Sequence, residues 1–258
     1  MLKFMNTVQN DEQFRKRMIE LARKSDLTNQ YIFTDFLSMA EVDLLHKTMQ
    51  SERVRAYDLF GGMEDCERLM ARFGSEEIFG YEVPYPIVCI HIAPLMEKFA
   101  EHLSHRDYLG AMMNLGIDRS MLGDIVIIEK HAYVFCTERM SDYIVESLDK
   151  VRHTNVKCIV TNEIPKEMIK TLVEQEHIVE NVRADAIVAK VYHLSRSQSL
   201  NLFREQKVYV GGRLYENNSG VFHEGDVVSV RGYGKFRYDQ VVHETRKGKQ
   251  KIQISLYQ

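Results

Sequence analysis

The sequence predicts an α+β protein of several domains: a mixed N-terminal α/β unit over residues 1–80, a βαββαβ middle domain over 81–162, a connector over 163–181 and a basic C-terminal module over 182–258. Three observations predict it. The 258 residues are about twice the commonest domain length. Apolar runs of strand and helix period alternate along the middle of the chain. The charge is also split: residues 183–258 hold 13 Lys and Arg against 7 Asp and Glu, a net of +6, so the overall −3 leaves −9 on residues 1–182. Such a split suits a chain in which one module meets a polyanion. With 45% hydrophobic and 28% charged residues the composition is that of ordinary globular proteins, which excludes disordered and coiled-coil classes.

The longest nearly uncharged apolar run, Ile87 to Met96, carries His91 and is about half of what a membrane span needs, so no span is expected. Residues 1–17 meet charge early and lack the apolar region and small-residue cleavage site of a secretory signal. Cys66, Cys89, Cys136 and Cys158 lie far apart without zinc-ligand spacing and read as buried thiols of a reducing, cytoplasmic compartment.

In the N-terminal unit, Phe14, Met18, Leu21 and Ala22 recur at helical spacing, predicting a helix from Asn10 to Asp26 capped by Asn10 or Asp11. Ser38 and Glu41 form a capping-box pattern for a second helix through Val42, Leu45 and Met49, with Phe33 and Phe36 packing between the two. Arg53 to Phe60 alternates as a strand closed by Gly61-Gly62, and Asp65 to Arg72 reads as a short helix ended at Gly74.

In the middle domain Pro84 and Pro86 limit helix formation, so Ile87 to Ile92 reads as a buried strand. Ser104 precedes a helix with Tyr108, Ala111, Met112 and Leu115 on one side, stopped by Gly116. Asp124 to Glu129 and Ala132 to Cys136 form a hairpin around Lys130-His131; Glu138 to Val151 is helical and Val156 to Thr161 a last strand. The order is that of the ferredoxin-like, split βαβ plan that RNA-recognition motifs share. Tyr133 and Phe135 alternate onto one sheet face as a candidate base-stacking pair, weighed against packing within the protein, because the segment lacks the basic, glycine-bearing strand of a typical RNA-recognition motif. Glu163 to Glu180 reads as an acidic helical connector burying Met168, Leu172 and Val173.

The chemistry gathers after residue 182. A short helix from Arg183 to Tyr192 buries Ile187, Val188 and Val191, and Ser195 caps a second helix with Arg196 and Ser197 in its first turn. Free backbone amides there favour phosphate. Leu200 and Phe203 face the core, Lys207 to Val210 is a strand turned by Gly211-Gly212, and Gly225-Asp226 leads into the strand Val227 to Val230. Beyond it a loop, Arg231-Gly232-Tyr233-Gly234-Lys235-Phe236-Arg237, interleaves cations with glycine and rings, as strand-tracking nucleic-acid surfaces do. The late run Arg246 to Lys251 adds electrostatic reach.

Arg183-x-Asp185, Ser195-Arg196-Ser197, Val208-x-Val210-Gly211-Gly212, and Gly225-Asp226 through Lys235-Phe236 resemble the S-four, or alpha-L, RNA-binding module over about a fifth of the chain. Gln206 departs from the pattern, standing at a corner where such modules often have Gly. His105-Arg106-Asp107-Tyr108-Leu109-Gly110-Ala111, Leu115-Gly116-Ile117 and Leu122-Gly123-Asp124-Ile125 resemble the YlmH family, cytosolic bacterial proteins with photosystem-two-type relatives that end in this module. The resemblance implies RNA binding, association with the large ribosomal subunit and rescue of stalled peptidyl-tRNA complexes, with rRNA, tRNA and other translation-rescue factors as partners and no DNA specificity. Carried onto matching positions, it implies phosphate contacts from Arg196 and Lys207, with Arg231, Lys235 and Arg237 adding charge along the loop and Arg183 and Arg213 secondary. Ser195, Ser197 and Tyr233 complete the candidate set, on one common ledge, and Asp185 reads as a cap or salt-bridge partner.

Against catalysis, His102 and His105 are three apart where a zinc protease pairs histidines four apart around a glutamate, and Ser104 starts a helix between them. His105-Arg106-Asp107 lacks the other protein-kinase motifs, and Gly232-x-Gly234 is too short for a dinucleotide fingerprint. No cofactor and no metal is expected. The alternatives are an RNA-modifying enzyme of pseudouridine synthase or methyltransferase type, which carry the same module, and a division- or membrane-associated scaffold.

Overall fold

The computed structural model describes residues 2–168, 172–246 and 248–257. The chain divides into two compact units, Met1–Ile169 and Lys170–Gln258, so residues 1–80 and 81–162, separated in the sequence reading, share one unit. The first unit opens with α1 (Leu2–Thr28), β1 (Ile32–Leu37), α2 (Met39–Glu52), β2 (Tyr57–Phe60), β3 (Leu69–Phe73) and the short α3 (Glu76–Phe79). α1 begins well before Asn10 or Asp11, because nothing in residues 2–9 breaks a helix. Ser38 caps α2 through the box with Glu41. Phe36 lies on a strand rather than between helices, and Asp65–Arg72 is not a helix. β3 is the middle strand of an antiparallel sheet in the order β1-β3-β2, where both neighbours take up its backbone groups and Met70, Ala71 and Phe73 are buried. That pairing outweighs a weak local helical pattern.

The unit continues with β4 (Ile87–Pro94), α4 (His105–Asn114), β5 (Leu122–Ile128), β6 (His131–Thr137), α5 (Glu138–Ser147), β7 (Lys150–Val151) and β8 (Thr154–Thr161). Their sheet order is β5-β6-β4-β8-β7 with every neighbouring pair antiparallel. The Ser104–Asp107 capping box starts α4. α5 stops at Ser147, short of the expected Val151, because Val151 turns into a hairpin with Thr154 through Arg152 at φ 52°. Tyr108, Met112 and Ile144 of the helices pack on Ile90, Ile92 and Val134 of the sheet.

The three-stranded sheet is tied to this one by polar contacts as well as packing. The Asp124 carboxylate accepts the backbone N–H groups of Glu67 (2.7 Å) and Arg68 (3.0 Å). The Arg68 guanidinium donates to the carbonyls of Leu122, Phe36 and Arg119. Arg119 beside it is pushed down to about 10 by burial and by Arg68.

In the second unit β9 (Leu172–Val179) precedes α6 (Ala184–Val191), α7 (Arg196–Arg204), β10 (Val208–Val210), β11 (Arg213–Leu214), β12 (Val227–Val230), β13 (Gly234–Glu244) and β14 (Gln250–Tyr257). The acidic segment read as a helical connector is thus a single 3₁₀ turn, Lys166–Met168, followed by a strand. β9 pairs with β14 over its full length, Leu172 opposite Tyr257 and Val179 opposite Gln250, and the sheet order is β11-β10-β12-β13-β14-β9. An unpaired long β14 would leave a row of backbone groups open, and β9 closes it. Both helices cover one face of this sheet, with Ile187, Val188, Val191, Leu202 and Phe203 against Val208, Val228, Val230, Phe236 and Ile254. Leu202, not Leu200, is the partner of Phe203 in the core.

α7 ends with Gln206 at φ 55°, its N–H bonded to Phe203 O and the Lys207 N–H to Leu202 O. The corner therefore keeps the left-handed conformation that glycine adopts most easily. Gln206→Gly is expected to raise stability by about 1 kcal/mol, read as a higher urea midpoint at unchanged m-value; a lower midpoint would mean that the Gln206–Glu216 hydrogen bond outweighs the backbone cost.

Candidate nucleic-acid interface

The geometry of the basic unit is set by a carboxylate. Asp185, in the first turn of α6, has a side chain 2% exposed. Its oxygens accept a forked pair from Arg183, Nε at 3.0 Å and a terminal nitrogen at 2.8 Å, and a bond from Asn218 Nδ2 at 3.3 Å. Burial alone would raise this carboxyl; the hydrogen bonds from Arg183 and Asn218 and the guanidinium charge hold it below the usual carboxylate range. Its backbone carbonyl accepts the Ser199 hydroxyl of α7 at 2.7 Å, and its N–H donates to Asn218 O at 3.0 Å. One residue thus ties together both helices and the 217–220 turn.

Around this knot the helices form a notch lined by Arg183, Arg196, Leu200, Arg204, Glu216 and Asn218. Arg196, Leu200 and Arg204 lie four apart on α7 and share its outer face. Ser195 caps α7, its oxygen accepting the Gln198 N–H and sharing a hydrogen bond with the Ser197 hydroxyl at 3.0 Å, so Arg196 and Ser197 stand at the positive end of the helix. An exposed guanidinium pair over a helix N-terminus is an arrangement that holds phosphate. The sequence reading missed Arg204, although its spacing from Arg196 was there to be read. A second cavity shares Arg183 and Arg196 at its lip and runs between α6 and the end of β9, where Lys190 adds charge and His193 lines the wall. Nearby, His177 is pushed below its ordinary value by burial and by the cations Lys190 and His193.

The remaining candidate residues do not join this notch. Val208, Val228, Val230 and Phe236 point into the core, so the alternating Tyr209, Ser229, Lys235 and Arg237 point to the other face of the sheet. There Arg231 lies over the Tyr209 ring at 4.9 Å and Lys235 over Tyr257 at 4.7 Å. The expected common ledge is therefore corrected: Arg183, Ser195, Arg196 and Ser197 are on the helical side, and Lys235 and Arg237 on the opposite side, with Arg231 beside Tyr209. The reason is the two-residue period of a strand, since Lys235 and Arg237 belong to β13 and not to a loop. Local carboxylates also engage several cations: Arg237 pairs with Asp239 at 2.6 Å, Lys207 with Glu205 at 2.7 Å, and Arg183 with Asp185. Arg213 is half-buried on the edge strand opposite Val210. Tyr233, 47% exposed, sits at the hairpin tip against Tyr192. Of the late basic run, Lys249 and Lys251 pair with Glu180 and Glu176; Lys247 lies outside the described residues.

In the first unit, Phe135 is 2% exposed and packs with Phe36, Cys66, Met70 and Cys89. A β-carbon at Gly62, which sits at φ 103°, would strike its ring. Phe135 is thus a core residue and presents no stacking surface. Tyr133 stacks on His91, ring centres 4.6 Å apart and planes 6° apart, and His91 in turn meets His131 at 2.8 Å. His102 precedes the Ser104 cap and His105 opens α4, so the two are not on one helix. Among the described residues no helix is long and apolar enough to cross a membrane.

The fold and the notch define a class: a mixed α+β protein with several sheets, whose C-terminal unit carries a notch lined by arginines. Residues 82–164 match the family model described as "Putative RNA-binding domain in YlmH". Over 221 residues the chain is 27% identical to the ribosome-associated protein quality control protein P2 of Bacillus subtilis (strain 168), spanning 85% of this chain and 84% of that protein. The solved cell division protein ylmH from Streptococcus pneumoniae aligns at 21% identity and a TM-score of 0.48, over 59% of this chain and 91% of that one. The chain is thus similar to YlmH-type proteins, through the family model over residues 82–164 and the ribosome-associated relative.

Two outcomes test this geometry. Asp185→Asn is expected to lower stability by about 2 kcal/mol at neutral pH. Because the folded-state carboxyl titrates below the unfolded one, its contribution is present above about pH 4 and lost as pH falls through the folded value. The gap between the two proteins in urea melts should close on acidification. Phe135→Ala should cost about 3–5 kcal/mol in the same assay; a loss under about 1 kcal/mol would return Phe135 to the surface.

Proposed function

We propose that the protein is a non-enzymatic RNA-binding factor of the cytoplasm that acts on ribosomal RNA or tRNA at the large ribosomal subunit, in the rescue of stalled peptidyl-tRNA complexes. The observation that carries the reading is the notch in which Arg183, Arg196 and Arg204 meet the N-terminus of α7 on a concave surface. It offers charge and open backbone amides to a phosphate chain without a reactive nucleophile–base pair at its centre. The quality-control relative and the RNA-binding domain description support the same reading. The middle sheet, with its split βαβ order, supports a second RNA-facing part of RRM-like kind, and the S-four resemblance assigns the basic unit to the primary contact. Other translation-rescue factors are the partners expected beside RNA, and no cofactor is invoked.

Sedimentation of cell lysate on a sucrose gradient tests the reading. The protein is expected with large subunits, and the double variant Arg196→Glu, Arg204→Glu only in the soluble fraction, with its melting temperature nearly unchanged. On purified RNA the variant's dependence of log K on log salt should be shallower by about 2, close to one unit per lost phosphate contact. Retained co-sedimentation would remove the notch from the site. For the RNA-modifying alternative, nucleoside analysis of a deletion strain decides: a missing modified nucleoside would replace the binding factor with an enzyme.

A further inference from the structure

The notch and the neighbouring cavity share the lip made by Arg183 and Arg196, but they differ in kind. The notch, of about 460 Å³, is lined mainly by charged and polar side chains, three of them arginines. The cavity, of about 480 Å³, has an apolar wall from Ala186, Ala189 and Leu194 and is bounded on its other side by the end of β9 at Ile178 and Glu180. Ala186, Ala189 and His193 recur along α6 and the turn after it at helical spacing, so the small side chains open a slot that Lys190 and His193 also line. Among the described residues β9 pairs with β14 alone, and its other edge carries backbone donors and acceptors without strand partners there. A slot with an apolar wall, an edge of polar backbone and the cations Arg183, Lys190 and Arg196 in its lining matches a planar heterocycle attached to a phosphate.

We propose that this cavity receives the base of one unpaired nucleotide whose flanking phosphate is held at Arg196, the RNA backbone continuing across the notch toward Arg204. The proposal deepens the RNA-binding reading and rests on it. Space supports a single nucleotide: the volume lies in the range of small-ligand sites, and the phosphate-seeking lip places such a ligand at one end. A fully paired helix keeps its bases stacked and leaves the slot empty, whereas a bulged or loop nucleotide costs little to turn outward. The unit would then distinguish an irregular RNA helix from a regular one through a single residue, with no sequence-reading helix in a groove.

The test compares two RNA probes of equal length at one salt concentration, a perfect 16-base-pair duplex and the same duplex with one unpaired nucleotide. The full chain is expected to bind the bulged probe about tenfold more tightly, within what one base contributes. Ala186→Leu and Ala189→Leu, which fill the slot from its solvent side, should abolish that preference and leave duplex affinity unchanged. 4-Thiouridine at the unpaired position should crosslink within residues 178–194. Equal affinity of the wild-type chain for both probes, or a preference that survives both filled variants, would overturn the cavity proposal while leaving the notch as an RNA site. Binding to neither probe would overturn the RNA reading together with the cavity.

Discussion

A buried carboxylate organises the basic unit. Asp185 holds Arg183 by two bonds, Asn218 by its side chain and backbone, and the hydroxyl of Ser199 through its carbonyl. Each partner belongs to a different piece: the start of α6, the turn before β12 and the middle of α7. Removing a charge from water costs several kcal/mol unless it is met by opposite charge and hydrogen bonds, so Asp185 is stable only when these pieces come together in one arrangement. That arrangement fixes where the N-terminus of α7 points and therefore where Arg196 stands. The arginine-lined notch is a consequence of satisfying one acid.

The same unit shows why a count of cations is a poor guide to a site. Its net positive charge is real, but strand alternation sends Lys235 and Arg237 to the face that the helices do not cover. There Lys235 and Arg231 rest on the Tyr257 and Tyr209 rings, while Arg237 is neutralised by Asp239. Cations over rings gain part of the stabilisation they would otherwise find in solvent or with phosphate. Charge concentrated in sequence is thus divided in space between two faces.

In the first unit the polar link between sheets has a comparable role. Asp124 on β5 caps the backbone entering β3, and Arg68 returns three bonds to carbonyls of both sheets. With Phe135 buried beneath Gly62, the face of β6 that could have carried exposed rings is instead packed against the N-terminal strands. One unit arises where the sequence reading set a boundary between residues 80 and 81.

Capping boxes at Ser38, Ser104 and Ser195, the βαββαβ order and the turn glycines were legible because each depends on neighbours within a few residues: a hydroxyl reaching an amide three positions on, or a period of two or 3.6. The helical spacing of Arg196 and Arg204 was legible for the same reason, though it went unread. What failed was non-local. Leu69–Phe73 and Leu172–Val179 became strands because distant strands supplied their hydrogen bonds, and Phe135 became core because Phe36, Gly62, Cys66 and Met70, far upstream in the chain, cover it. The sequence by itself determined many of the local elements and the basic character of the C-terminal unit. Only the tertiary structure decided which cations share a surface, because sheet register and the Asp185 knot, neither of which has a local signature, set the direction of every side chain in the site.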